Sequence, residues 1–120
     1  KQCINHNKYS IIGYKGKQVR DNIHSFDLVS CFWEFYKKPS KGEIFNIGGG
    51  RYSNCSINEA INVVENETNK KINKQFLKEG RVGDHMWYVT DNSKFIKKYP
   101  KWKQKYNIKK IIFELINSNI

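Results

Sequence analysis

Glu43-Ile44-Phe45-Asn46-Ile47-Gly48-Gly49-Gly50, followed after five residues by Ser56-Ile57-Asn58-Glu59, is the stretch on which the fold turns. The nearly continuous apolar run 43–47 reads as a short strand. Ser56 with Glu59 three positions on is a capping box, and it opens a helix through Ala60, Ile61, Val63 and Val64 toward Thr68 and Asn69. A strand, three glycines and a helix in that order point to a mixed α/β (α+β) class. Glycines at such a junction permit positive φ and close backbone approach, as phosphate-cradling loops require. The spacing is not Gly-x-Gly-x-x-Gly and no Lys-Ser/Thr pair follows, so neither the dinucleotide nor the P-loop fingerprint is met. A structural turn and a ligand contact both remain open for Gly48–Gly50.

Toward the N-terminus, Lys1 to Asn7 reads as the end of a helix, and Tyr9-Ser10-Ile11-Ile12-Gly13 as a short strand closed by glycine. Tyr14 to Lys17 is a turn. Val19 to His24 alternates in polarity and reads as extended, with Arg20 and Asp21 facing opposite ways. Ser25 is placed to cap the next helix, in which Leu28, Val29, Phe32, Trp33 and Tyr36 recur at helical spacing and read as a core stripe. Pro39-Ser40-Lys41-Gly42 ends that helix. Toward the C-terminus, Ile72 to Lys78 reads as a strand, Arg81-Val82-Gly83-Asp84 as a loop, Asn92 to Tyr99 as a short helix stopped by Pro100, and Ile108 to Ile116 as an amphipathic helix.

At 120 residues the chain is expected to be one domain with a modest core. Its formal charge of +11 attracts phosphates of any kind and does not choose among nucleotide, nucleic acid and anionic lipid. Cys3, Cys31 and Cys55 are odd in number and widely spaced, which suggests a reducing compartment, cytoplasm by default. Cys3 and His6 have zinc-like local spacing without a second pair, so no metal site is assigned. No apolar run is long enough to cross a bilayer. Residue 1 is Lys, and the chain is expected to begin inside a longer polypeptide.

Of 22 cationic side chains only three are arginine: Arg20, Arg51 and Arg81, each in a stretch punctuated by glycine. A guanidinium offers a planar fork that meets two phosphate or carboxylate oxygens at once, which an ammonium cannot. Arg20 and Arg81 therefore read as a phosphate clamp, with ion pairs to neighbouring carboxylates as the competing assignment.

Tyr9 to Gly13, Val19-Arg20-Asp21-Asn22-Ile23-His24, Asp27-Leu28, Phe45-Asn46-Ile47-Gly48-Gly49-Gly50 and Arg81-Val82-Gly83-Asp84 together resemble, in order and over nearly the whole chain, the extended short-chain dehydrogenase/reductases. Within them the likeness is to the NAD-dependent epimerases and dehydratases of nucleotide sugars, in particular the CDP-tyvelose (CDP-paratose) 2-epimerases. The resemblance implies that residues 1–120 are the C-terminal nucleotide-sugar-binding domain of a longer enzyme, short strands with three to four helices and no Rossmann domain. That enzyme would move hydride off and back onto C2 of a CDP-linked hexose with NAD, the cofactor held mainly by an N-terminal Rossmann domain as partner and not by this chain. Position by position, Arg20 and Arg81 would hold the substrate diphosphate, Asp84 the ribose hydroxyls, and the strand at Ser10 and Ile12 the base through backbone groups. Arg51, Tyr52 and Asn54 are further candidate substrate contacts. His24 and Asp27 are left structural. The family's catalytic Tyr-x-x-x-Lys has no counterpart: Tyr106 with Lys110 falls in the terminal helix region, Tyr14 with Lys17 has the wrong spacing, and no catalytic residue is assigned.

The alternative is a basic nucleic-acid-binding module built on segment 97–110, where Tyr99, Trp102 and Tyr106 interleave with lysines. The competing assignment anchors those aromatics to the body of the domain and leaves the lysines solvated.

Overall fold

The computed structural model describes residues 7–78, 80 and 82–118. Tyr9–Ile12 (β1) leads through a 3₁₀ turn at Tyr14–Gly16 to Val19–Asp21 (β2) and helix Ser25–Lys37 (α1). A second 3₁₀ turn, Gly50–Tyr52, precedes Asn54–Ser56 (β3) and helix Ile57–Thr68 (α2). Lys74–Leu77 (β4), Trp87–Tyr88 (β5), Ser93–Lys98 (α3) and Ile108–Asn117 (α4) complete the order. The class is mixed α/β, as expected. The helix end expected at residues 1–7 lies outside the described residues, Asn7 apart, and Asn7 is not helical.

Two small sheets share the strands. β1 runs parallel to β4, Ser10 opposite Gln75 and Ile12 opposite Leu77. β2 is central to the other sheet, antiparallel to β3 and parallel to β5. The sequence gives no separate signal for β3 and β5. At three and two residues they are too short to show a period, and only pairing with β2 makes them strands.

Local chemistry explains the helix starts. The capping box of α2 forms in full, Glu59 N–H donating to Ser56 Oγ and Ser56 N–H to Glu59 Oε2 at 2.7 Å. Asn69 ends that helix in the left-handed conformation. α1 is capped by His24, whose Nδ1 accepts from Phe26 N–H at 3.1 Å, so Ser25 is its first helical residue and not its cap.

The core is one aromatic cluster. Cys31 of α1, Phe95 of α3, Tyr99 and Trp102 are buried together, with Ile23, Phe35, Phe45 and Ile47 packed around them. Asp27 is fully buried and ties α1 to the C-terminal segment by accepting from Lys105 N–H (2.9 Å) and Tyr106 N–H (3.0 Å). Trp102 Nε1–H donates to Asp27 O and Ser30 Oγ in the same place. Burial pushes the Cys31 thiol up to about 11.

Two expectations fail here. The stripe Val29, Phe32, Trp33, Tyr36 is not core: these side chains are 63%, 60%, 57% and 73% exposed. Asp27, Cys31 and Phe35 form the inner face of α1 instead, because the buried carboxylate and its two N–H donors fix the helix rotation. Residues 43–47 form no strand, and among the described residues no backbone ladder meets them. In α4, Ile112 is buried and Leu115 is exposed, so its apolar stripe is only partly used against α2.

Candidate functional site

Arg20 and Asp84, 64 positions apart in sequence, meet at 2.5 Å between Arg20 NH2 and Asp84 Oδ1. β2 holds the arginine, whose NH1 also donates to Val19 O. The segment after Gly83 brings up the aspartate. Tyr14 Oη–H donates to Asp84 O at 3.0 Å, so the turn at Gly13–Gly16 forms a third side. Tyr14 and Lys15 both have positive φ, 42° and 51°, an uncommon conformation for side-chain-bearing residues. Sequence reasoning passed over Tyr14. Its only signal was the Gly13-x-x-Gly16 spacing around it.

The pair is partly open to solvent, with side-chain exposures of 36% and 23%. At that exposure an ion pair contributes about 0–1 kcal/mol after screening. A guanidinium bond to a phosphate contributes about 1.5–3 kcal/mol, more than such an exposed ion pair. Arg81, the second expected clamp residue, lies outside the described residues.

On β1, Ile11 is buried while Ser10 and Ile12 share the opposite face. Gln75 Nε2–H of β4 donates to Ser10 Oγ at 2.8 Å, and Gln18 Nε2–H to Ile12 O at 2.8 Å. The strand expected to meet a base is thus pinned on both sides. Gln75 was not singled out from sequence, since one amide in a short strand carries no signal.

Residues paired in register share a face, so Arg20 lies with Cys55 and Tyr88, and Asp21 with Asn54 on the other side. The structure therefore does not bring Arg51, Tyr52 and Asn54 to Arg20 and Asp84. Asn54 Nδ2–H donates to Gly50 O and Arg51 O, closing the 3₁₀ turn. Arg51 and Tyr52 flank a separate cavity of about 660 Å³ with Trp87, Asp91, Ile96 and Gln104.

The triple glycine is resolved in favour of a structural turn. Gly48 N–H donates to Asn92 Oδ1 (3.0 Å) and Gly50 N–H to Asp21 Oδ2 (2.8 Å), so two of its three donors are spent within the protein. A Cβ on Gly48 would lie 2.3 Å from Thr90 Oγ1, and one on Gly49 2.4 Å from Asn22 O. With those donors spent and no room beside Gly48 and Gly49, these residues do not fit the pyrophosphate of NAD.

Asp21 also accepts from Thr90 N–H at 3.0 Å. Partial burial pushes its carboxyl up, but the bonds from Gly50 N–H and from the Thr90 side chain and N–H outweigh that and hold it below its ordinary value. A depressed folded-state value means that the stabilisation is complete above the ordinary carboxylate range and is lost as pH falls through the folded value. The Gly50 and Thr90 amide resonances are expected to shift and broaden together below about pH 4. In Asp21→Asn that joint transition should vanish; persistence in the variant would assign it to another group.

Tyr106 and Lys110 are structural, Tyr106 stacking on His24 at 3.9 Å and Lys110 Nζ donating to Lys105 O. Among the described residues no three His, Cys, Asp or Glu side chains come together as a metal site, and no described helix is long and apolar enough to cross a membrane. Cys3 and His6 lie outside the described residues.

Comparison with known proteins finds relatives in sequence and in fold. A CDP-paratose 2-epimerase of Salmonella typhi is 34% identical over 91 residues, 73% of this chain and 26% of that protein. A UDP-glucuronic acid 4-epimerase from Bacillus cereus, solved with UDP-glucuronic acid and NAD, matches at TM-score 0.82 and 22% identity over 99% of this chain and 38% of its own. A UDP-glucose 4-epimerase from Bifidobacterium longum, solved with NAD+ and UDP, matches at TM-score 0.72 and 26% identity over 88% of this chain and 32% of its own. No protein-family model matches. The chain spans about a quarter to two fifths of the relatives it matches. In sequence and in fold, it belongs with the C-terminal parts of the extended short-chain dehydrogenase/reductases that act on nucleotide sugars.

Proposed function

We propose that this chain binds the nucleotide-diphosphate half of a sugar nucleotide, CDP-linked, for an NAD-dependent 2-epimerase. Arg20, with Arg81 as a second guanidinium, takes the diphosphate; Asp84 turns from Arg20 to the ribose hydroxyls; β1 around Ser10 and Ile12 lies along the pyrimidine. The carrying observation is the convergence of Arg20, Asp84 and Tyr14 at one solvent-accessible point from three separate stretches of sequence. The chain supplies remote binding energy and orientation, while the hydride chemistry and its NAD belong to another part of the polypeptide, the N-terminal Rossmann domain. The free thiols of Cys31 and Cys55 suit a reducing cytoplasm.

The nucleic-acid reading finds no support in the site. Tyr99 and Trp102 are each 3% exposed and Tyr106 is stacked on His24, so no aromatic of segment 97–110 stands free for a base to stack on.

Titration of CDP and UDP into the 120-residue chain, followed by NMR, tests the proposal. Shifts clustered at residues 10–12, 14, 20 and 82–84, larger for CDP, are expected, with at least about tenfold weaker binding in Arg20→Ala, equivalent to one lost charge-assisted bond. Shifts scattered over surface lysines, or unchanged in the variant, refute it. No NAD reduction is expected from this chain alone.

A further inference from the structure

Across the sheet from Arg20 lies the cavity of about 660 Å³ between the Gly50–Tyr52 turn, β5 and α3. β5 separates the two faces: Tyr88 is in register with Arg20, and Trp87, one residue earlier, with Val19 on the other side. Trp87 is 65% and Tyr52 51% exposed, and both line the cavity, so two aromatic rings stand open to whatever enters. The polar wall is held in place. Gln104 Nε2–H donates to Gly49 O at 3.1 Å, Asn92 both accepts from and donates to the Gly48 backbone, and Asp91 Oδ1 accepts from Ser93 N–H at 2.9 Å.

Among the described residues lining the cavity, the charged ones are Arg51 and Asp91. Bonds from the Ser93 N–H and hydroxyl, and after them the Arg51 charge, hold the Asp91 carboxyl below its ordinary value, so it is an anion at neutral pH. Neither forms a salt bridge with the other or with any other described residue. In a chain of net charge +11 this cavity is therefore locally neutral, with both signs present and unpaired.

That balance selects the ligand. An anion drawn to Arg51 meets the Asp91 carboxylate, and a cation meets the reverse. A wholly apolar ligand strips water from both charges and from the Gln104 amide without replacing those bonds. A neutral polyol avoids both costs, because its hydroxyls donate to a carboxylate and accept from a guanidinium or an amide, and adjacent hydroxyls match the fork of such planar groups. A pyranose ring also has a face of C–H groups, which suits the negative face of an indole or phenol ring. We infer that the cavity bounded by Arg51, Tyr52, Trp87, Asp91 and Gln104 binds a neutral pyranose saccharide that carries no nucleotide. Trp87 and Tyr52 cover the ring, and Arg51, Asp91 and Gln104 hold its hydroxyls. The inference is independent of nucleotide binding at Arg20 and Asp84, which belong to the other face.

NMR titration of the 120-residue chain with methyl α-D-glucoside, methyl α-D-mannoside and maltose, each up to about 50 mM, tests it. Saturable shifts are expected at the amides of Arg51, Tyr52, Trp87 and Asp91 and at the Trp87 indole N–H. Trp87→Ala and Arg51→Met should each weaken that binding at least about tenfold. The Trp102 indole N–H, bonded to Asp27 O and Ser30 Oγ in the core, should keep its resonance in both variants and so report an intact fold. No saturable shift with any of the three sugars overturns the inference. So does a stronger response of the same residues to inorganic phosphate, an anion, or to phenylalanine, a zwitterion able to bridge the two charges. CDP in the same sample reads the other face: if it moves residues 51, 87 and 91 as much as 20 and 84, the cavity belongs to the nucleotide site and the inference fails. If CDP leaves the whole chain unmoved while the sugar shifts persist, the functional proposal fails and the saccharide site stands.

Discussion

Asp27→Ala is expected to destabilise the chain by about 3–5 kcal/mol, enough to unfold much of it at room temperature if its stability is at the low end for domains of this size. The carboxylate is fully buried, and its two oxygens each accept one backbone N–H from the segment that follows Trp102, at 2.9 and 3.0 Å. Truncation leaves both N–H groups without this acceptor in a partly buried place, at about 1–3 kcal/mol each. The loss propagates, because the same anchor orients α1 and seats Trp102 against Asp27 O and Ser30 Oγ. Urea unfolding followed by tryptophan fluorescence measures it. Asp27→Asn keeps one acceptor oxygen and should fall between wild type and Ala; an Asn variant as unstable as Ala would show that charge, not hydrogen bonding, holds the segment.

Phe95→Ala should cost a similar amount, about 3–5 kcal/mol, through lost burial and the cavity left behind. Phe95 is 2% exposed and touches Phe45, Tyr99 and Trp102 with ring centroids 5.6, 4.6 and 5.4 Å away. The informative control is Trp33→Ala in α1, an equally drastic truncation of an aromatic at a position 57% exposed. It should change the unfolding free energy of the 120-residue chain by about 0.5 kcal/mol or less. If Trp33→Ala proves as costly as Phe95→Ala, the outer face of α1 is buried in solution and the assignment of its core must be reversed.

Two residues of the candidate site, Arg20 and Asp84, are legible in the sequence. The scarcity of arginine singled out Arg20, and the resemblance named Asp84 for a different part of the ligand, the ribose; the structure joins Arg20 and Asp84 directly, as an ion pair. The capping box at Ser56 and Glu59 was legible because its chemistry is confined to four consecutive residues. Tyr14 and Gln75 were not, since each acquires its role from a partner at least 65 positions away.

The sequence by itself determined where α2 begins, which residue types could hold a phosphate, and that α1 carries a continuous apolar stripe. Those are properties of neighbours along the chain, within reach of one or two turns. Only the tertiary structure decided what each face meets. Periodicity reports that a face is apolar but not whether this chain supplies its cover, so the stripe of α1 reads as core and stands exposed. Strand propensity reports that 43–47 can be extended, but a ladder needs a second backbone, and among the described residues none pairs with it. Glycine spacing allows a phosphate or a tight turn, and the choice fell to Asp21 and Asn92, which take two of the three donors. In each case the deciding group is remote in sequence, and its distance is fixed by folding alone.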